Sequence, residues 1–370
     1  MPPLKITSNA IEKACAVTAL VLYVVTAHDL SSWLNYDQLT HQYSAFSLVG
    51  VRNVPANGIV QAGNFSSQAI PWLDGDLQSN EGHLGWGCWM VLAYALWYLY
   101  DRDACKHGGR PIQAIRRSDK LSRTAATFPI TLEKTHELDP ERKYIIGYHP
   151  HGVSGGGAFF NFATEATGLS KVFPGIDFHL LTHSSLHHFP IFRDLVALFG
   201  MADVSRQSIS YCLKGKGKAV VIIVGGAKEA LMSLPDKTYI VLKNRKGFVR
   251  VALQNGADLV PSFSFGENQL WKLRSHVFPW TKLNLYQKVY NWVYAYPPVL
   301  LLGQGMFNTP FRLPVHTIVG KPINVEKDSS PSEEKVDEIH RRYMEALIDL
   351  YETSKSRFNI APENKLIFVD

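Results

Sequence analysis

Residues 143–157 read KYIIGYHPHGVSGGG. An apolar run ends in two histidines around a proline, and glycines follow at 152, 155, 156 and 157. KYIIGY has the composition of a strand covered on both faces. Pro150 fixes φ and has no N–H to offer a ladder, so the strand stops there. His149 and His151 are thereby placed at a strand end, where α/β sheets gather their ligands. Imidazole suits general-base work near neutral pH. Glycines leave backbone N–H groups uncovered, free to approach a ligand or to hold a developing oxyanion. A base beside bare amides fits acyl transfer to a hydroxyl.

Three rival chemistries compete for the same residues. A metal site on His149 and His151 lacks a third ligand at a fixed local spacing. A phosphate loop would need GK[ST] or GxGxxG after the strand, and neither is present. Gly152-Val153-Ser154-Gly155-Gly156 does match the GxSxG elbow of hydrolases. An elbow, however, needs a strand running straight into its first glycine, and Pro150 intervenes. A triad would also need a later carboxylate and histidine. His316 and His340 are available, without a recognisable triad context. A Ser154-dependent lipid hydrolase is therefore the weaker alternative.

Outward from this segment, KAVVIIVGG (218–226), TYIVLK (238–243), DLVPSFSF (258–265) and VHTIVG (315–320) read as strands. The first is β-branched and continuously apolar, as a doubly covered strand requires. FPIFRDLVALFG (189–200) and KGFVRVALQNGA (246–257) read as helices. This alternation predicts an α/β fold, a sheet flanked by helices. Near the C-terminus, Ser330-Pro331-Ser332-Glu333 puts Ser330 at N-cap, Pro331 at N1 and Glu333 at N3 of a helix. Val336, Ile339, Tyr343, Leu347 and Leu350 share the face that packs on the core. Four polar clusters lie at strand or helix ends: Gly200 to Arg206, Gly225-Gly226-Ala227-Lys228-Glu229, Arg245-Lys246-Gly247-Phe248, and Phe265-Gly266-Glu267-Asn268. Their positions predict one shared site.

The first hundred residues differ from the rest. Arg52 is the only Lys or Arg between Lys13 and Asp101. ACAVTALVLYVVTA (14–27) is apolar but short for a span, and without a basic leader or small-residue cleavage site it reads as retained. Residues 82–100 carry no Asp, Glu, Lys or Arg; as a helix they would reach roughly 28 Å, close to a bilayer core. Their Trp and Tyr residues suit an interface as well as a span. Residues 101–123 then hold seven Lys/Arg against three Asp, a block that marks a cytoplasmic flank and suits anionic headgroups. The expected organisation is an apolar, membrane-associated region over 1–100 and a catalytic domain over 101–370. The net charge of +6 is mild, which gives no reason to expect nucleic acid as a partner. Four cysteines without CxxC spacing argue against a zinc site or disulfide framework and for a reducing compartment.

Taken in order, the motifs YDRDACKHGGR (100–110), FPITLEKTHELDPERKYIIGYHPHGVSGGGAF (128–159), GGAKEAL (225–231), LKNRKGFVRVALQNGADLVPSFSFGENQLW (242–271) and VGKPINV (319–325) resemble the type-2 diacylglycerol acyltransferase family. That family also contains monoacylglycerol and wax-alcohol acyltransferases. The resemblance covers roughly residues 94–370. It implies a glycerolipid-acyltransferase-like mixed sheet flanked by helices, and an endoplasmic-reticulum membrane enzyme with its catalytic region facing the cytosol, possibly also on lipid droplets. It implies acyl-CoA as co-substrate, an acylglycerol or long-chain alcohol as acceptor, and no metal or redox cofactor. The wider H-x4-D motif is absent: the position five after His149 is Ser154, and five after His151 is Gly156.

The expected mechanism is direct transfer. His151 takes the acceptor proton, His149 supports the loop or exchanges roles with it, and Glu229 orients the imidazole in place of the missing acid. Pro150, Gly152, Gly155, Gly156, Gly225, Gly226, Lys228, Arg245, Gly247, Phe248 and Glu267 are expected to contact substrate. Arg206, Lys246 and the Lys214, Lys216, Lys218 run are expected to meet the phosphates of CoA. A non-catalytic lipid-binding relative is the remaining alternative, and it predicts that both histidines are dispensable.

Overall fold

A computed structural model of the chain describes residues 86–235, 237–273, 301–304 and 309–370. Its strands are β1 (Ile130–Lys134), β2 (Lys143–His149), β3 (Asp177–Thr182), β4 (Ala202–Asp203), β5 (Lys218–Ile223), β6 (Thr238–Val241), β7 (Asp258–Phe265), β8 (Lys272–Leu273), β9 (Leu301–Leu302), β10 (Val315–Val319) and β11 (Leu366–Val369). The helices of six residues or more are α1 (Trp86–Tyr100), α2 (Asp119–Thr127), α3 (Phe192–Leu198), α4 (Arg206–Cys212), α5 (Gly226–Leu231), α6 (Gly247–Asn255) and α7 (Glu333–Ser354).

Residues Asp101–Asp370 form one compact unit around a sheet of order β1-β10-β7-β2-β5-β3-β4. Strands β7, β2, β5, β3 and β4 run parallel, while β10 is antiparallel to β7 and parallel to β1. The expected mixed α/β sheet is therefore present. One expected strand lies elsewhere: β6 pairs with β11 in a separate two-stranded sheet. β8 and β9 form a second such pair.

β2 is the central strand, and its register fixes the site. Tyr148 lies opposite Ile223 of β5 and Ser262 of β7, so three parallel strands end together. Strand alternation sends Ile145 into the layer of α6 and α7, with Val220, Ile222, Leu259 and Phe263. It sends Tyr144, Ile146 and Tyr148 to the other face, with Phe162, Phe178 and Val221. His149 follows Ile145 and Gly147, and its ring nitrogen meets Tyr343 of α7.

The start of α7 differs from the expectation. Ser332, not Ser330, is the N-cap, and its side chain accepts from Lys335 N–H at 3.2 Å. Ser332 has extended backbone angles, which an N-cap needs, and Glu333 and Glu334 then meet the positive helix end. Ser330 is instead held by Asp328 through its backbone N–H. The expected inner face of Val336, Ile339, Tyr343, Leu347 and Leu350 is buried.

The basic block after residue 100 is largely tied down. Arg193 on α3 is buried and donates to the Asp101 carboxylate at 3.0 Å, and Arg110 pairs with both Asp101 and Asp194, at 3.2 and 2.9 Å. Arg116 is buried and donates to Ala163 O. At Gly109 a side chain would meet Ala197 O at 2.8 Å, so the GGR turn can lie this close to α3 only as glycine. Arg117, Lys120 and Arg123 remain exposed. Cys105 and Cys212 are free thiols.

Of the unit Met1–Tyr100, the structure describes α1 alone. Its 15 residues span roughly 22 Å. Among the described residues no helix is long and apolar enough to cross a membrane; α1 covers 86–100 of the stretch read as suiting an interface as well as a span. Residues 14–27 and 82–85 lie outside the described residues. Met90, Leu96, Leu99 and Tyr100 of α1 are exposed.

Gly147 sets the distance between sheet and α7. A Cβ there would fall 1.9 Å from the Tyr343 hydroxyl oxygen. Gly147→Ala is expected to destabilise the fold by about 3 kcal/mol, the upper end of overpacking costs. Chemical denaturation of the two proteins would show it as a lower midpoint at unchanged slope.

Candidate active site

The site is a turn held from both sides. β2 ends at His149, a cis peptide joins it to Pro150, and the chain turns through Gly152 and Gly155, both at positive φ. The flanking strands β5 and β7 each deliver one buried glutamate to this turn. Glu229, on α5 just after β5, accepts from the backbone N–H of His151 at 2.5 Å and from that of Val241 at 2.7 Å. Glu267, just after β7, accepts from Gly157 N–H at 3.0 Å and from the Tyr148 hydroxyl at 2.8 Å.

The glycines are what lets these carboxylates approach. A Cβ at Gly157 would lie 2.4 Å from Glu267 Oε2, and one at Gly152 would lie 2.6 Å from Glu267 Cγ. At Gly225 a Cβ would lie 2.1 Å from Glu229 Oε2, so the GGAKE turn can fold its own acid back only with glycine there. Both carboxylates are almost completely buried, 2% and 1% exposed. Burial, working against the N–H groups they accept from, pushes each up to about 7.

The two histidines have different surroundings. His149 is fully buried, with Nε2 3.0 Å from the Tyr343 hydroxyl and Nδ1 without a partner. Desolvation brings its pKa down to about 3, so the ring is neutral. His151 is partly exposed, and its Nδ1 lies 3.0 Å from the Gly152 carbonyl oxygen. A carbonyl only accepts, so Nδ1 carries the hydrogen and Nε2 keeps a free lone pair. Desolvation also lowers the His151 pKa, which keeps the ring neutral near pH 7. His151 is thus the base-ready member of the pair, while His149 braces the strand end against α7.

Several expectations need correction. Glu229 does not orient the His151 ring; it grips the backbone N–H, and the Gly152 carbonyl sets the tautomer. Glu267 is sealed under the glycine turn rather than open to substrate. The Gly157 N–H is directed at Glu267 and is not a bare donor. The lysine run is at the wrong end of the sheet. Lys218 begins β5, opposite Lys143, and pairs with Asp177 at 2.7 Å; Lys216 pairs with Glu141. Lys246 pairs with Asp337 at 2.6 Å, and Lys228 is exposed. Arg206, Arg245, Gly247 and Phe248 do converge, on one cavity. Pro150 and Gly226 lie in the two turns themselves.

The hydrolase alternative finds no triad. Ser154 Oγ accepts from Trp271 Nε1 at 3.2 Å, His316 pairs with Thr131, and His340 meets the Leu242 carbonyl. Among the described residues no group of three potential metal ligands occurs.

Three features were not foreseen in the sequence. Tyr343 was expected only as core. Tyr148 ties the strand end to Glu267. Beyond it a buried polar chain runs through Ser264, Thr317 and Asn161, with Ser264 Oγ and Thr317 Oγ1 3.0 Å apart and Asn161 Nδ2 2.8 Å from Thr317 Oγ1. The Phe159–Ala163 stretch that carries Asn161 is a π-helical turn, a form that clusters at functional sites.

A strand-end histidine with a free lone pair, beside a turn of amides on a mixed α/β sheet, is an arrangement that suits acyl transfer. The chain belongs to the diacylglycerol acyltransferase family, whose model matches residues 85–369. It is 41% identical over 293 residues to diacylglycerol O-acyltransferase 2 of Rattus norvegicus, covering 76% of this chain and 75% of that one. It is 40% identical over 283 residues to acyl-CoA wax alcohol acyltransferase 1 of Mus musculus, covering 75% and 86%. With 2-acylglycerol O-acyltransferase 3 of Homo sapiens it shares 38% over 285 residues, covering 75% and 83%. Among solved structures, the 1-acyl-sn-glycerophosphate acyltransferase of Thermotoga maritima aligns over 70% of this chain and 88% of that one, at 13% identity and a TM-score of 0.33.

The buried acids predict a pH signature. A carboxyl raised to about 7 in the fold adds stability that is complete below its unfolded value of about 4.3 and is lost as pH rises through 7. Glu267→Gln removes that dependence while keeping an acceptor for Tyr148 and Gly157. The stability of wild type relative to Glu267→Gln is therefore expected to fall from pH 4.5 to 7.5. Denaturant titrations across that range would reveal it, and a flat difference would rule it out.

Proposed function

We propose that this chain transfers a fatty acyl group from acyl-CoA to the hydroxyl of an acylglycerol, with diacylglycerol as the leading acceptor. The observation that carries this reading is the His151 ring, its Nδ1 hydrogen committed to the Gly152 carbonyl and its Nε2 free. Nε2 takes the acceptor's proton while the acceptor oxygen attacks the thioester carbonyl. The resulting oxyanion is met by backbone N–H groups of the turn 152–156, since that of Gly157 faces Glu267. The C–S bond then breaks, and the CoA sulfur leaves with the proton from the imidazolium. No acyl-enzyme forms.

The sheet is read here as glycerolipid-acyltransferase-like, and the N-terminal region as lying on or in the endoplasmic-reticulum membrane, with the catalytic unit on the cytosolic side or on lipid droplets. The exposed apolar side chains of α1 support the membrane part of this reading. The three named relatives differ in acceptor, which leaves monoacylglycerol and long-chain alcohol as the second choices.

The test uses membranes from cells that make no neutral lipid, expressing this chain or His151→Ala. Labelled acyl-CoA is supplied in parallel with diacylglycerol, monoacylglycerol or fatty alcohol. The expected result is label in triacylglycerol, with a loss of about 10²–10⁴-fold in the mutant, the range for a general base. Label in another ester class would rename the acceptor. Equal label from wild type and mutant would overturn the mechanism.

A further inference from the structure

Of the cations first assigned to phosphate binding, the fold leaves two together and disengaged. Arg206 opens α4, Arg245 precedes α6, and both line a cavity of about 350 Å³. Among the described residues neither makes an ion pair or hydrogen bond with an acidic side chain. Lys246, Lys216 and Lys218 are each paired with a carboxylate. The cavity is also lined by Ile209, Ile222, Val224 and Phe248.

Two of the cavity's walls touch the β2–α7 seam that leads to the histidine turn. Phe248 packs edge-on against Tyr343, with ring centres 5.0 Å apart, and Tyr343 bonds His149. Val224 lies against Gly147, 3.3 Å from where a Cβ would stand. Two arginines and several apolar side chains lining one cavity fit a ligand that joins an anionic diphosphate to a less polar arm. Of the two substrates of acyl transfer, the acylglycerol carries no phosphate and the acyl donor does.

We propose that Arg206 and Arg245 grip the diphosphate of acyl-CoA, and that its pantetheine arm crosses the Ile222–Val224 wall toward His151. This assignment rests on the acyl-transfer reading above. A phospholipid headgroup carries similar phosphate chemistry, so the test must separate the two sources.

The full-length protein is studied in phosphatidylcholine vesicles, with R206A, R245A and the charge-keeping R206K and R245K. Equilibrium dialysis reads binding of a non-transferable alkyl thioether of CoA. KM is read for acyl-CoA and for an acyl-N-acetylcysteamine thioester, which has no phosphate. Each alanine variant is expected to weaken thioether binding and raise the acyl-CoA KM about tenfold, as for a lost charged hydrogen bond. The lysine variants should fall between, because they keep charge without the fork. The truncated donor should not distinguish variants from wild type.

Equal losses on both donors would overturn the assignment in favour of a structural role. An effect that appears only when phosphatidylserine is added would overturn it in favour of a headgroup. Unchanged thioether binding and acyl-CoA KM would overturn it while ester synthesis still stood. Conversely, arginine-dependent thioether binding by a chain that makes no ester would keep the site and remove the transfer reading.

Discussion

The histidine turn depends on two carboxylates that are nowhere near being ordinary surface acids. Glu229 and Glu267 come from the strands on either side of β2, and each accepts a backbone N–H from the chain that leaves β2. A turn rich in glycine loses much conformational entropy when it is fixed. Carboxyl acceptors on its amides oppose that loss, because a buried N–H left without an acceptor costs more than one that is bonded. The cost is burial of both acids, visible in their upward shift to about 7. The sheet register is therefore part of the site: moving β5 or β7 by one residue against β2 would carry an acid away from the turn.

The same burial explains why the histidines stay neutral. A carboxylate beside an imidazole would favour its charged form. Here the acids spend their lone pairs on amides and a phenol, and the nearest partner of the His151 ring is a carbonyl. The ring keeps one fixed tautomer without gaining a proton. His149 takes the opposite role, since its ring is sealed and tied to Tyr343. It joins the central strand to the C-terminal helix, so of two histidines two positions apart one braces the fold and the other keeps a ring nitrogen free.

Much of this was legible before any coordinates. KYIIGY and KAVVIIVGG read as doubly covered strands because their apolar runs are continuous, and they became the adjacent β2 and β5. The strand-end position of His149 followed from Pro150. What could not be read was every relation that depends on which strands are neighbours. TYIVLK has a strand's composition, yet it pairs with β11 near the C-terminus, and no local pattern reveals a partner so far along the chain. Tyr343 has a core residue's spacing, and its bond to His149 spans 194 positions. Glu267 was expected at the substrate because a polar residue at a strand end usually is, but Gly152 and Gly157 let the turn close over it. The lysine run was misplaced for a related reason: its charge was plain, but only the strand direction shows that Lys218 starts β5 at the far end from His149.

The absence of an acid five residues beyond the histidine also has a physical reading in thioester chemistry. An alcohol leaving group is a poor one and needs a strong acid to depart, whereas a thiol ionises near pH 8.5. In the proposed transfer, departure of CoA therefore asks little of the imidazolium. The harder step is removing the acceptor's proton as its oxygen attacks, and that needs a lone pair held in place. A carbonyl on Nδ1 supplies the placement. A buried carboxylate on the ring would strengthen the base and would also draw a proton onto it from solvent between turnovers. At a site this desolvated, the neutral orienter keeps the base free when the acceptor arrives, and the two nearby acids remain available to hold the turn.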